Sequence, residues 1–232
     1  KLNNLEIYKK GLFFLSLGGI GEIGANCYLY GCDGKWIMID LGVSFADEKH
    51  PGIDILVPKI DFIEEIQDDL VAIIISHGHE DHAGAVAFFA DKINCPVYAT
   101  SFAKLLIENR LKEFGKLENI KLIELNTKKN LKLDNFNIKF FETTHSIPEP
   151  NAIVLDTFYG KLLHTADWKI DPSPTLGENF KKEYFEDIGN DGLLALIGDS
   201  TNADIPGFSR SENEVKEELK NIFSRYSNRI VV

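Results

Sequence analysis

The chain has 232 residues, of which 44% are hydrophobic, so it can bury one large core, or one domain with part of a second. Its formal charge of −11 argues, taken alone, against a nucleic-acid partner, because phosphate backbones attract basic surfaces. No apolar run has the length of a membrane span and no signal-peptide pattern is recognised, so we expect a cytoplasmic protein without a membrane segment.

The first half of the chain alternates between apolar runs of strand length and segments of helical periodicity. Residues 27–30 and 36–41 are predicted to form a hairpin around Asp33-Gly34, because Asp-Gly is a strong turn signal. The following predicted elements are a buried strand at 71–76, a helix at 83–92, a strand at 97–99, a helix at 101–114, and strands at 121–125 and 136–142.

The second half continues the alternation. A second hairpin is predicted from residues 153–158 and 161–164 around Tyr159-Gly160, and a further strand at 193–197. A helix is predicted at 211–225, with Ser211 and Glu214 spaced as a capping box. Interleaved strands and helices predict an α/β fold in which helices cover at least one sheet.

A domain boundary is predicted in the turn-rich stretch at residues 202–209. We therefore divide the chain into residues 1–207 and 208–232. Because the first residue is Lys1 rather than methionine, and residues 230–232 resemble a strand cut midway, we expect the chain to be a piece of a longer protein.

The cysteines show no spacing typical of a metal or redox site. Cys27, Cys32 and Cys95 are odd in number and include no C-x-x-C pair. We expect reduced, mostly buried thiols, as in a cytosolic protein.

Six residues directly after the strand predicted at 71–76 concentrate candidate metal ligands. They read His-Gly-His-Glu-Asp-His and hold three of the six histidines in the chain. In an extended segment His77 and His79 point to the same side, and once the chain turns into a helix Asp81 and His82 face a second position. Imidazole and carboxylate ligands suit zinc or a similar divalent ion. The alternative is a solvated loop with incidental histidines.

Two later residues also follow predicted strands. His145 comes after the strand at 136–142, and Asp167 after the strand at 161–164. Alone, a histidine is usually structural and an aspartate usually belongs to a turn. Because strand ends can meet at one sheet edge, we expect both residues to join the first motif as ligands.

Several further residues are candidates for supporting the metal ligands or for binding the substrate. Asp40 either orients a histidine or stabilises a turn before Gly42. His164 is interpreted as structural or as a support for a ligand. Ser200, Thr201 and Asn202 either contact phosphate or form a local turn. The loop at residues 18–26 either lines a cleft or is an ordinary glycine-rich turn.

These motifs resemble the metallo-β-lactamase superfamily, whose signature is H-x-H-x-D-H, and within it the ribonuclease J family of β-CASP ribonucleases. The segments that carry the resemblance are LGGIGEIG at 17–24, SHGHEDH at 76–82, TTHSIPE at 143–149, TADWK at 165–169, and DSTNA at 199–203 with PGF at 206–208. Departures from the family pattern are Ala46, Ala166 and Trp168, where proline, glycine and phenylalanine are commoner. None of them is a candidate ligand.

The resemblance implies an αββα sandwich that is incomplete in this chain, with an inserted β-CASP domain starting at about Phe208. It implies two metal positions, one held by His77, His79 and His145 and the other by Asp81, His82 and Asp167, with Asp167 as a candidate bridge. The metals are expected to be two divalent cations, zinc first and manganese as the alternative. The family's remaining site histidine lies in a segment that this sequence does not contain.

The expected activity is hydrolysis of RNA phosphodiester bonds, as a 5′-exonuclease, an endonuclease or both, by a hydroxide that bridges the two metals. Asp81 and His79 are the predicted catalytic residues. RNA is therefore the expected partner despite the acidic composition, because bound cations and further chain would add positive charge. A homo-oligomer of the full-length protein is left open, and the isolated piece is expected to be inactive.

Three other functions remain open. A small-molecule hydrolase acting on a thioester or lactone would use the same metal site, and net acidity favours it. A diiron redox protein of the same fold would have glutamate where His79 stands. A non-catalytic, metal-dependent RNA-binding subunit would bind RNA without cleaving it.

Overall fold

The computed structural model describes residues 5–231, which form thirteen strands and five α-helices. The strands are β1 (Leu12–Gly18), β2 (Cys27–Cys32), β3 (Lys35–Ile39), β4 (Ser44–Phe45), β5 (Ile55–Leu56), β6 (Leu70–Ile75), β7 (Val97–Ala99), β8 (Leu122–Glu124), β9 (Leu131–Leu133), β10 (Phe136–Glu142), β11 (Asn151–Thr157), β12 (Gly160–His164) and β13 (Ala195–Ile197). The helices are α1 (Asp61–Glu65), α2 (Glu80–Ala83), α3 (Ser101–Glu113), α4 (Lys182–Asn190) and α5 (Glu212–Phe223). Short 3₁₀ helices span Leu5–Lys9 and Leu117–Asn119.

Two sheets contain most of the strands. The first has six strands in the order β1-β2-β3-β6-β7-β8, antiparallel from β1 to β3 and parallel from β3 to β8. The second has five strands in the order β13-β12-β11-β10-β9, and only its β12–β13 pair is parallel. Strands β4 and β5 pair separately.

The central strands of the first sheet are buried on both faces, which explains their continuous apolar sequence. In β6, Ile73 and Ile75 pack under α1 and α3, whereas Ile74 faces the second sheet. On the far side of the second sheet, Val154 and Leu163 pack against Ile188 of α4. The layers are therefore helix, sheet, sheet and helix, and the predicted αββα architecture is confirmed.

Both predicted hairpins are present, but the position of the turn was predicted correctly only for the Asp-Gly hairpin. Asp33 and Gly34 form the two-residue turn between β2 and β3, with φ values of 47° and 81° that suit Asp and Gly. The second hairpin exists, but Thr157 pairs with Gly160, so its turn consists of Phe158 and Tyr159 and lies one residue earlier than predicted.

The helix predicted at residues 83–92 is wrong, because the structure has only the four-residue α2 followed by turns. The amide of Leu41 donates to the carbonyl of His82 at 2.8 Å, and the carbonyl of Leu41 accepts from the amide of Ala85 at 3.0 Å. These groups would have continued the helical ladder. Because they bond to Leu41 in the loop after β3, the helix ends after α2. The same two hydrogen bonds hold the segment that carries His82 against that loop.

Other predictions concern the cysteines and the end of the chain. Cys27, Cys32 and Cys95 are buried and unpaired, as expected. Ser211 is the N-cap of α5 and forms the predicted capping box with Glu214. Of the apolar run at 230–232, the described residues Ile230 and Val231 form no strand, and Val232 lies outside the described residues. Within the described part of the chain, every helix is too short or too polar to cross a membrane.

Candidate metal centre

The predicted ligands lie on loops that leave one edge of the two packed sheets. His77 is the second residue after β6, His145 the third after β10, and Asp167 the third after β12. Asp40 directly follows β3, which runs parallel to β6. The ordered strands thus bring together residues that are distant in sequence.

Three histidines, His77, His79 and His145, form what we name the imidazole group. Nδ1 of His79 lies 3.1 Å from Nε2 of His77 and 3.1 Å from Nε2 of His145. Asp167 Oδ2 lies 3.5 Å from His145 Nε2. The potential ligand atoms of these four residues all lie within 4.8 Å of one another, which is the convergence that one divalent cation requires.

Asp81 and His82 form what we name the carboxylate group. His82 Nε2 lies 3.6 Å from Asp81 Oδ2 and 3.2 Å from Asp167 Oδ1. Asp167 therefore presents Oδ1 to the carboxylate group and Oδ2 to the imidazole group. The six predicted ligands are brought together as two sets that share Asp167.

Asp40 is fully buried and orients histidines in both groups. Its Oδ2 lies 2.7 Å from His82 Nδ1 and accepts the hydroxyl proton of Ser76 at 2.8 Å, while Oδ1 accepts the amide of Ser76. Because the single proton of the Ser76 hydroxyl is used in this way, its oxygen accepts from His77 Nδ1 at 3.0 Å. His77 and His82 both keep Nε2 for a cation, which is the usual role of an acidic partner behind a histidine ligand.

Charge states differ between the two groups. Burial lowers the pKa of His79 and of His145, and burial with neighbouring imidazoles holds the pKa of His77 far below its usual range. Burial also lowers the pKa of His82, but the carboxylates of Asp40 and Asp167 more than offset this and raise it to about 10. Before a cation binds, the imidazole group is thus neutral, whereas His82 carries a proton.

Asn26 and Tyr28 support the carboxylate group, and neither residue was predicted to do so. Asn26 Nδ2 donates to the backbone oxygen of Asp81 at 3.1 Å and lies 3.3 Å from its Oδ2. The hydroxyl of Tyr28 donates to Asn26 Oδ1 at 2.7 Å and so fixes the amide orientation. An asparagine between a glycine-rich loop and a strand was the available signal.

A cavity of about 370 Å³ opens beside the carboxylate group. Its walls come from the glycine-rich loop at residues 19–24 and from the loop at 197–201, while Asp81, His82 and Asp167 lie at its base. Among the described residues that line it, Glu22, Asp81, Asp167 and Asp199 are acidic and none is lysine or arginine.

Only some of the predicted substrate-binding residues line this cavity. Ser200 and Thr201 line it, whereas Asn202 lies outside its lining. His164 also lines the cavity, but it belongs to neither ligand set, and its Nδ1 bonds to the Tyr30 hydroxyl instead of to a ligand.

The loops of His145 and Asp167 are tied to each other. The amide of Lys169 donates to the carbonyl of Thr144 at 2.8 Å, and the Thr144 hydroxyl donates to the carbonyl of Lys169. Two residues later, the buried carboxylate of Asp171 accepts the amide of Glu212 at 2.9 Å, at the start of α5. A continuous hydrogen-bonded path therefore joins both ligand loops to α5.

Comparison with known proteins assigns most of the chain to one family. The model of the metallo-beta-lactamase superfamily matches residues 20–178. A crystal structure of a protein of unknown function from Enterococcus faecalis V583 has a TM-score of 0.68 at 17% identity, over 94% of this chain and 58% of that one. That likeness shows the shared fold.

Curated relatives are more similar in sequence. Ribonuclease J of Sinorhizobium meliloti is 40% identical over 94% of this chain and 40% of its own length. Ribonuclease J 1 of Streptococcus pyogenes is 36% identical over 99% of this chain and 41% of its own length. The chain thus spans about two fifths of the relatives that it matches, and the resemblance seen in the motifs is confirmed.

Proposed function

This chain belongs to the metallo-beta-lactamase superfamily, and on that premise we propose that it is the metal-binding part of a longer, cytoplasmic ribonuclease. The protein would hydrolyse RNA phosphodiester bonds as a 5′-exonuclease, an endonuclease or both. The observation that carries the proposal is the shared Asp167, which turns one oxygen to each ligand group beside an open cavity. Similarity to proteins named ribonuclease J supports RNA as the substrate.

The residues fit two divalent cations. Three neutral imidazoles with a carboxylate make one set, and two carboxylates with an imidazole make the other, so zinc is the first candidate and manganese the second. When bound, two such cations activate water for in-line attack and stabilise charge on the phosphoryl oxygens.

The residues of the chain bind and orient around that chemistry. Asp81 and His79, one from each group, are the proposed catalytic residues. Asn26 holds Asp81 through both its backbone and its carboxylate, and Asp40 fixes which nitrogen of His82 faces the centre. Glycines in the loop at 19–24 let the backbone approach a bound nucleotide closely.

Electrostatics make substrate binding itself dependent on the cations. Four carboxylates line the cavity without a lysine or arginine among the described lining residues, so an RNA phosphate is repelled from the metal-free site. Bound divalent cations reverse this local field. We therefore expect weak RNA binding at this cavity after the metals are removed, in addition to loss of cleavage.

A second candidate function is favoured by the same charge distribution. A cavity with acidic walls also suits a small thioester or lactone, which carries no phosphodiester charge at the reacting carbon. The metal groups would serve that hydrolysis equally well. We rank this function second because the similar proteins are named ribonuclease.

The test measures metal content by mass spectrometry together with cleavage of a 5′-monophosphorylated RNA labelled at its 5′ end. The full-length protein is compared with its Asp81→Asn variant and with residues 1–232. Two metals per chain and cleavage by the full-length protein alone support the proposal, and labelled mononucleotide or longer products separate the exonuclease from the endonuclease.

Other outcomes overturn the proposal. Two metals with hydrolysis of thioesters or lactones, but of no RNA, would replace the ribonuclease by the second candidate. Metal-dependent RNA binding without cleavage in a single-turnover assay would indicate a non-catalytic subunit. Absence of bound metal would remove the premise of both hydrolases.

A further inference from the structure

His164 is a buried histidine that the metal centre does not use. It is the last residue of β12, it is only 2% exposed, and it faces the space between the two sheets. Its ring lies 4.9 Å from the ring of Tyr28, and its Nδ1 lies 2.8 Å from the hydroxyl of Tyr30. Neither ligand set includes it, although it lines the same cavity as Asp81 and Asp167.

Tyr30 determines which nitrogen of His164 carries the hydrogen. Within residues 5–231 the Tyr30 hydroxyl has one hydrogen-bond partner, His164 Nδ1. Burial raises the pKa of Tyr30 well above its usual range and lowers the pKa of His164 to about 4, so both groups are neutral at pH 7. A buried neutral hydroxyl donates its proton where it can, so Nδ1 accepts and Nε2 keeps the hydrogen.

The Nε2–H group of His164 is left without a partner. Nε2 is buried, and it has no hydrogen-bond partner among the described residues. A buried donor without a partner is rare in folded proteins and indicates a group that a ligand or water completes. Because His164 is among the residues that line the cavity, a molecule held there is the nearest source of an acceptor for this nitrogen.

We propose that His164 is a substrate-binding residue, whose Nε2–H donates a hydrogen bond to an oxygen of the nucleotide held in the cavity. This inference rests on the proposed ribonuclease function, because it names a contact of that same site. The carboxylates that line the cavity repel negatively charged groups that are not held by a cation. A neutral N–H donor therefore suits an uncharged oxygen of the nucleotide. Tyr30 acts behind His164 as a positioning residue.

A first experiment observes the hydrogen directly. Long-range ¹H–¹⁵N spectra of the full-length protein, labelled on histidine nitrogens, should show His164 as the Nε2–H form, assigned by its disappearance in His164→Gln. Uridine 5′-monophosphate should shift that signal. Ribose 5-phosphate, which lacks the base, should shift it equally if the acceptor belongs to the ribose or phosphate, and weakly if it belongs to the base. A His164 in the Nδ1–H form, or a signal that neither compound moves because only water is bound, would overturn the proposal.

A second experiment separates binding from structure. His164→Leu removes the donor and should raise KM for RNA by about tenfold, the value of one hydrogen bond, with kcat within about twofold. His164→Gln, which returns an N–H near the position of Nε2, should recover most of that loss. Metal content and the unfolding temperature are measured on each variant.

The outcomes distinguish the two proposals. Loss of metal in His164→Leu, an unchanged KM, or no recovery in His164→Gln would each contradict substrate binding by His164. If His164→Leu fails to fold, Tyr30→Phe keeps the histidine, frees its tautomer and should raise KM by a few-fold. Absence of RNA cleavage by the unaltered protein would reject the ribonuclease, while the nucleotide-dependent shift of the His164 signal would still decide the role of this residue.

Discussion

The imidazole group and the carboxylate group occupy one site but are built differently. His77, His79 and His145 lose their charge through burial and mutual proximity, and they lie away from the cavity lining. His82 keeps a proton because carboxylates surround it, and with Asp81 it borders the cavity. The comparison shows that one fold can place a neutral, sheltered set of candidate ligands beside a charged set that borders a cavity.

Asp167 joins the two groups, so its loss should have the largest effect. Asp167→Ala removes one oxygen from each ligand set, and we expect both cations to bind much more weakly. RNA cleavage by the full-length protein should fall by at least about 10³-fold, the upper range for removing one key electrostatic group. Metal analysis after dialysis gives the result, and retention of both metals would show that Asp167 is not shared.

Removing one ligand from each group should separate them. His79→Ala should release the cation of the imidazole group and Asp81→Ala that of the carboxylate group, while each variant keeps the other cation and most of its fold. Cleavage should be lost in both, by about 10² to 10³-fold or more. Full activity in either variant would contradict the site assignment, and equal loss of both metals in both variants would show that the groups are not independent.

Asp40 supports the two groups unequally. Asp40→Asn replaces the acceptor at His82 and also disturbs Ser76, so we expect metal affinity to fall about 10 to 100-fold, as for other residues behind histidine ligands. Ser76→Ala is the comparison variant, since it removes the contact with His77 and leaves the carboxylate of Asp40 in place beside His82. Metal titrations of the two variants should therefore differ mainly at the carboxylate group. Identical titration curves would contradict the proposed support of His82 by Asp40.

Proton release should distinguish the groups in the unaltered protein. Because the pKa of His82 is raised to about 10, its proton must leave when a cation binds, and raising the pH from 7 to 8 should strengthen that binding about tenfold. The pKa values of His77, His79 and His145 are lowered, so binding at the imidazole group should change little. Calorimetry in buffers of different ionisation enthalpy counts the protons released when each cation binds. Equal release at the two groups would contradict the predicted difference in their charge states.

Ala166 offers the smallest test, at the residue before the shared ligand. Its φ of 49° lies in the left-handed region, which explains why glycine is commoner there in the family that the sequence resembles. Ala166→Gly should relieve strain and stabilise the fold by about 0.5 to 1 kcal/mol after the entropy cost of glycine. Ala152→Gly, in the regular strand β11, should instead destabilise it. Thermal unfolding compares the two, and destabilisation by both would show that Ala166 is not strained.

The clustering of the candidate ligands was predictable because these residues are concentrated in sequence. Histidines and an aspartate crowd six positions after a buried strand, and His145 and Asp167 follow strands whose apolar pattern is clear. Asp-Gly likewise specified the first hairpin locally. The ligand cluster and the Asp-Gly turn are determined by residues that are close in sequence, so a single sequence is enough to predict them.

Other features depend on partners far along the chain. The helix predicted at 83–92 failed because Leu41 takes the backbone groups that would continue it. Asn26, Tyr28 and Tyr30 resemble ordinary loop and strand residues until β2 is packed against the second sheet. Helix α4 was not predicted, although Phe185 and Ile188 have the spacing of its buried face. The boundary after residue 207 stays a prediction.

The path from Asp171 to α5 has a mechanical consequence. Ser173 and Thr175 also bond to the first turn of α5, so this helix cannot shift without pulling on the segment that begins just after Asp167. The tie between Thr144 and Lys169 passes the same displacement to the loop of His145. A displacement of α5 would therefore be transmitted to the loops of His145 and Asp167 together, so the position of this helix and the spacing of the two ligand groups are mechanically coupled.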